Sequence, residues 1–171
     1  MRWPAGRQLH GGLDRIGLPP DVGGALWLCG KHLIAPDPEA VRAQLGAGTV
    51  VACFNQEHDI IRYDGYVDWL RSSPDARWFP IADLHAPPLD EALPILDDLS
   101  GVISAGRPVV MHCSAGIGRA GTMAVAVLMV LGVPWSEALA GVERDRHGAG
   151  PEAGAQRQLI QSLAVHLGAE R

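Results

Sequence analysis

The sequence predicts an α/β fold, with a mainly parallel central sheet flanked by helices. Three observations carry this reading. Short apolar, β-branched runs (ALWLC, TVVACF, PVVMH) alternate with segments of helical periodicity. The last run has no polar alternation until its final residue, as a strand buried on both faces requires. Directly downstream, residues 119–131 are apolar enough for a helix buried on most of its faces. The chain has 171 residues, 47% hydrophobic and 19% charged, which suits one domain with its own core and excludes a disordered chain. The 21 glycines and 13 prolines interrupt it often, so its elements should be short and sharply bounded.

Residues 1–24 are rich in Gly and Pro and read as an N-terminal extension or irregular edge, leaving 25–171 as a single catalytic domain. ALWLC (25–29) is the first buried strand. Asp37 followed by Pro38 is a cap with a first-turn proline, opening a helix that Gly46 closes. TVVACF (49–54) is the second strand. Residues 57–71 form a helical connection with Tyr66, Trp69 and Leu70 on one side. RWFPIA (77–82) contains a proline, so it is an edge strand or a strand end, closed by Asp83. LHAPP (84–88) is a loop. Leu89, Leu93, Leu96, Val102 and Ile103 then recur at helical spacing up to Gly106, with a bend expected at Pro94. PVVMH (108–112) is the central strand, and helices follow at 119–131, 134–145 and 152–167.

Composition sets the outer limits on function. The net charge of −5 gives no broad attraction to nucleic acid or to an anionic membrane, so neither is an expected partner. No apolar run reaches the roughly 18 residues of a membrane span, and MRWPAGRQLHGGLDRIG lacks the apolar core of a signal peptide. Three cysteines fit a reducing, cytoplasmic setting better than a disulfide scaffold. Cys29 and Cys53 lie inside strands and read as core residues. The remaining histidines (10, 32, 58, 85, 147, 166) show no metal-ligand spacing, so no metal site is expected from them, and no cofactor is called for.

In open α/β sheets, ligands bind beyond the carboxyl ends of the strands, which points to the loop after His112. That loop reads His112-Cys113-Ser114-Ala115-Gly116-Ile117-Gly118-Arg119. Its glycines permit tight backbone turns, so Ser114, Ala115, Gly116, Ile117 and Gly118 can present successive N–H groups as an anion nest. The following helix adds the positive end of its dipole. Arg119 can clamp two oxygens of a phosphate, and the same field favours the thiolate of Cys113 as a nucleophile.

These residues resemble the His-Cys-x5-Arg signature of the cysteine-dependent protein phosphatase superfamily. ALWLCGKHLI and TVVACFNQEHDI are similar to the first two core strands of its compact dual-specificity branch. The resemblance implies a protein-tyrosine-phosphatase-like fold, with the phosphate-binding loop between strand 108–112 and helix 119–131. It implies a phosphomonoester hydrolase for phosphorylated protein or peptide, working through a phosphocysteine intermediate without a metal. Cys113 and Arg119 carry the reaction with a general acid upstream. IADLHAPP resembles the family's acid loop and nominates Asp83, thirty positions before Cys113. Asp90 is the runner-up, with first-turn helix stabilisation as its plainer role. His112 is expected to hydrogen-bond the loop backbone. Gln156 loosely matches a family glutamine that positions water, and Glu152 stands where a glutamine is often found.

One departure is visible. After the arginine, where the family usually has Ser or Thr, this chain has Ala120. The expectation is slower breakdown of the phosphoenzyme, with Thr122 or Ser114 as substitutes for the missing hydroxyl. Other readings are a phosphatase of small-molecule phosphoesters, a phosphate-binding pseudophosphatase, and a rhodanese-type sulfurtransferase. The uncharged loop argues against polyanionic substrates. The five residues between Cys113 and Arg119, with His112 and an upstream acid, favour the phosphatase over the sulfurtransferase.

Overall fold

A computed structural model describes residues 12–169. The elements in order are β1 (Asp14–Ile16), β2 (Ala25–Gly30), α1 (Lys31–Ile34), α2 (Pro38–Leu45), β3 (Val50–Cys53), α3 (Glu57–Ile60), α4 (Tyr66–Ser72), β4 (Ala76–Trp78), α5 (Leu89–Ser104), β5 (Pro108–Cys113), α6 (Arg119–Val130), α7 (Trp135–Asp145) and α8 (Gly154–Ala169). The five-stranded sheet has the order β1-β2-β5-β3-β4. Strands β2, β5, β3 and β4 are parallel, and only the edge strand β1 runs antiparallel. Of the stretch 1–24, residues 14–16 therefore join the sheet, and residues 1–11 lie outside the described residues.

Strand residues alternate between two cores, as a period of two requires. Leu26, Leu28, Val50, Ala52, Val109 and Met111 face Leu96, Leu99 and Ile103 of α5, the apolar length of α6, and Leu163 of α8. Cys29, Val51 and Val110 face Ile34 and Val41, while Cys53 packs with Ile60, Tyr66 and Leu70. Both faces of β5 are thus covered. Every α6 residue from Arg119 to Met129 is buried. Each large apolar side chain so buried is worth about 1.5–3 kcal/mol, so the start of α6 is held firmly beneath the loop that precedes it.

Several local signals operate as read. The Asp37 carboxylate accepts from Ala40 N at 2.9 Å, Pro38 opens α2, and Gly46 ends it with φ +118. Asp90 lies in the first turn of α5, where a carboxylate complements the dipole. Two boundaries differ. Residues 57–71 are two short helices, α3 and α4, because Gly65 adopts the left-handed conformation at the α4 cap. Strand β4 stops at Trp78 rather than reaching residue 82. Phe79 N and Ile81 N still donate to Cys53 O and Phe54 O. The chain keeps to the edge of β3, with Pro80 at a position that owes the sheet no N–H. Asp83 is consequently a loop residue rather than the end of a strand. No helix among the described residues is long and apolar enough to cross a membrane.

Candidate active site

Strand β5 ends at Cys113, whose register partner on β2 is Gly30. The thiol is buried and free, with 2% of the residue exposed. The five residues to α6 form a tight loop whose carbonyls are all engaged. Ser114 O accepts from Lys31 N at 3.3 Å. Ala115 O and Gly116 O accept from the Arg146 guanidinium at 2.7 and 2.8 Å. Ile117 O accepts from Gly121 N and Gly150 N, and Gly118 O from Thr122 N. Among the described residues, no N–H of Ser114–Gly118 donates to a protein acceptor. A chain segment with its carbonyls tied back and its amides unspent is an anion nest.

Two glycines make the turn possible. Gly116 has φ +71, and a Cβ there would lie 2.2 Å from Cys29 O. At Gly118 a Cβ would lie 2.0 Å from Glu152 Oε2. The carboxylate of Glu152, at the approach to α8, is therefore seated against the loop. Its burial and the charge of Asp83 raise its pKa, with Arg119 acting against them.

Arg119 is 2% exposed and closes the loop. Its Nη1 donates to Asp59 Oδ2 and to Ile81 O, each at 2.9 Å, and its Nη2 donates to Ser114 Oγ at 3.0 Å. Asp83 Oδ1 lies 3.5 Å from Nη2 on a side chain that is 75% exposed. The structure therefore brings Cys113, Arg119 and Asp83 to one place. Arg119 Nε is buried without a hydrogen-bond partner among the described residues.

The supporting residues fare differently. His112 Nε2 pairs with Tyr66 OH at 2.5 Å. The Cys113 backbone favours the protonated ring, while Nδ1 has no hydrogen-bond partner among the described residues. Burial lowers its pKa to about 3, so the ring is neutral. Gln156 is fully buried with both ends of its amide committed. Its Oε1 accepts from Glu152 N at 2.7 Å, and its Nε2 donates to His85 O in the acid loop at 3.3 Å. It ties the acid loop to the approach to α8, and its Nε2 lies close to Gly118 of the phosphate loop. Thr122 Oγ1 is buried without a partner among the described residues, and Ala120 is fully buried. Burial pushes the thiols of Cys29 and Cys53 up to about 12, which fits their reading as core residues. No group of metal-ligating side chains occurs among the described residues.

Sequence reasoning missed four contributors. Asp59 holds Arg119. Burial opposes its charge, but the hydrogen bonds from Arg119 and Asn55 outweigh this and lower its pKa. Asn55, at the carboxyl end of β3, donates to Asp59 Oδ2 at 3.2 Å and to Ser114 Oγ at 3.1 Å. Arg146, with no exposed surface, pairs with Asp14 of β1 at 2.7 Å behind the loop. Lys31 flanks the loop at Ser114. Only Asn55 left a usable signal, a polar residue where a buried strand meets the ligand-binding end of the sheet.

Comparisons with known proteins match the overall fold and the segment that carries the loop. A family model described as Tc-R-P, polymorphic toxin system, DSP-PTPase phosphatase, matches residues 75–133. That segment contains the acid loop, β5, the phosphate loop and α6. No curated protein matches the chain. Among solved structures, Tk-PTP in its active form is 24% identical, with a TM-score of 0.65 over 85% of this chain and 97% of that one. Kinase associated phosphatase, carrying serine for its catalytic-site cysteine, is 18% identical, with a TM-score of 0.75 over 92% and 96%. Human DUSP28 is 19% identical, with a TM-score of 0.66 over 91% and 95%. The structural likenesses establish a protein-tyrosine-phosphatase-like fold. The family match falls on the segment that holds the His112–Arg119 signature.

Proposed function

We propose that the chain hydrolyses phosphate monoesters on protein tyrosine, and on serine or threonine, through a phosphocysteine intermediate. One observation carries this reading. Every carbonyl of the loop 114–118 is bound from behind while its amides stay unspent, between a buried cysteine and a buried arginine. Such a preorganised set of donors stabilises the charge of a transferring phosphoryl group. The Cys113 thiolate attacks phosphorus in line, a P–S bond forms, and the ester P–O bond breaks. Asp83 gives its proton to the departing oxygen. Water then attacks the phosphocysteine, Asp83 takes its proton, and phosphate and the thiolate are released. Arg119 serves both steps by binding the equatorial oxygens.

The test is hydrolysis of an aryl phosphate and of phosphotyrosine and phosphoserine peptides by the wild type, Cys113→Ser and Asp83→Asn. Cys113→Ser should abolish turnover on all of them. Asp83→Asn should slow the reaction most where the leaving group is a poor one. Turnover surviving in Cys113→Ser overturns the mechanism. A wild type that binds phosphopeptide without cleaving it would favour a binding module.

A further inference from the structure

The mouth of the phosphate site is electrically lopsided, and its positive side has no part in the reaction described above. Lys31 is the first residue after β2 and is bonded to the loop through its own N–H at Ser114. Its ammonium donates to Asp59 O at 2.9 Å, directly behind the aspartate that holds Arg119. The neighbouring His32 ring meets Arg62, with Nη2 and Nδ1 3.2 Å apart, and Tyr63 OH at 2.7 Å. Arg62 is exposed and lies over the Tyr63 ring at 5.1 Å, which fixes its stem. The carboxylates of α3 are committed elsewhere, Asp59 to Arg119 and Glu57 to Arg71. Asp64 makes no ion pair with Arg62 among the described residues. Burial together with the charges of Arg62 and Arg119 lowers the Lys31 pKa, while Asp59 acts against them. Lys31 Nζ on Asp59 O and Arg62 Nη2 on the ring of His32, the residue next to Lys31, place the two cations beside the same turn of chain.

At the other end of the loop the charge reverses. Glu152 is seated on Gly118, and Asp83 stands beside it, both exposed. An all-round polyanion would meet the Glu152 carboxylate, whereas a peptide with an acidic group on the far flank only would not.

We propose that Lys31 and Arg62 form a subsite for an acidic side chain adjacent to the phosphorylated residue of a peptide substrate, with Glu152 favouring neutral or basic residues on the opposite flank. This rests on the phosphatase reading, which the aryl phosphate checks separately. Phosphotyrosine peptides are made with Ala at both flanks, with Glu on the N-terminal side only, with Glu on the C-terminal side only, and with Glu on both. One of the two singly acidic peptides should exceed the Ala peptide in kcat/KM by about three- to tenfold, the range of one or two exposed charge pairs. The advantage should shrink in high salt. The doubly acidic peptide should do no better than the favoured single one. In Arg62→Glu the ratio of favoured to Ala peptide should fall to one or below. That ratio is taken within one protein, so a lower overall rate does not affect it. Equal rates for all four peptides, in a wild type that hydrolyses aryl phosphate, overturn the subsite. So does a preference that survives Arg62→Glu. Equal gains from Glu on both flanks would instead mark a site for polyanions and overturn the polarity.

Discussion

Arg146 is the residue on which the shape of the phosphate loop depends most. It has no exposed surface, and it spends its guanidinium on Ala115 O, Gly116 O, Gly12 O and the Asp14 carboxylate. Removing one partner of a buried ion pair costs about 3–5 kcal/mol, because the other charge stays behind. Arg146→Met should therefore lower the urea midpoint severely. The double variant Arg146→Met with Asp14→Leu should recover part of that stability but not turnover, because the loop carbonyls still lack their donor. A double variant with wild-type kcat/KM on aryl phosphate would show that the loop holds its shape unaided. Ala120 is the second telling residue. Among the described residues no hydrogen bond joins a nearby hydroxyl to the Cys113 thiol. Ser114 Oγ already accepts from Arg119 and Asn55, and Thr122 Oγ1 has no partner among the described residues. A hydrogen bond to a charged group contributes about 1.5–3 kcal/mol, which is roughly 10- to 100-fold in rate. Ala120→Ser should speed phosphoenzyme breakdown within that range. Rapid-quench measurement of the phosphoenzyme checks this, and an unchanged breakdown rate rejects this account of position 120.

Among the elements, the acid loop depends on a helix it does not touch in sequence. Gln156 of α8 donates to His85 O, two residues beyond Asp83, and accepts from Glu152 N. Inside that loop Leu84 takes a left-handed backbone with φ +61, a conformation that a leucine holds only when its surroundings impose it. Gln156→Leu should release the loop and act on catalysis through Asp83. Its kcat should fall several-fold more on phenyl phosphate, whose leaving group needs protonation, than on p-nitrophenyl phosphate, whose leaving group does not. An equal fall on both would assign Gln156 to folding alone. The contrast between local and distant partners explains which features could be read in advance. Helix α2 announced itself through Asp37, Pro38 and Gly46, which interact within one or two turns. The unit β5–loop–α6 was legible for the same reason, since nucleophile, glycines and clamp are contiguous. Asp59 was not, because its importance lies in a bond to Arg119, sixty positions away. Arg146 was not legible either, because only the tertiary fold carries its guanidinium under Ala115 and Gly116. The end of β4 was misplaced because Phe79 and Ile81 bond like strand residues while Pro80 stops the regular ladder.

For the molecule as a whole, the site imposes a dependence of stability on pH. His112 lies at the centre of the sheet, paired in register with Cys29 on one side and Cys53 on the other. It is fully buried, neutral, and bonded to a buried tyrosine that stacks on Trp69. Burial lowers its pKa from 6.5 to about 3. The unfolded chain therefore takes up a proton below about pH 6.5 that the folded chain refuses. Stability is complete above that pH and is lost as the pH falls towards 3, at up to about 1.4 kcal/mol per pH unit from this group. Lowered carboxylates such as Asp59 and Asp145 add their own acid losses, but only as the pH approaches the ordinary carboxylate range. Between pH 6.5 and 5 His112 therefore costs stability before these lowered carboxylates do. Urea unfolding across that window should show the midpoint falling steadily in the wild type. In His112→Asn the midpoint should start lower at pH 7 and then stay nearly flat. If the two proteins lose stability in parallel between pH 6.5 and 5, the acid sensitivity arises elsewhere. The strand that delivers Cys113 would then not be held by a neutral histidine.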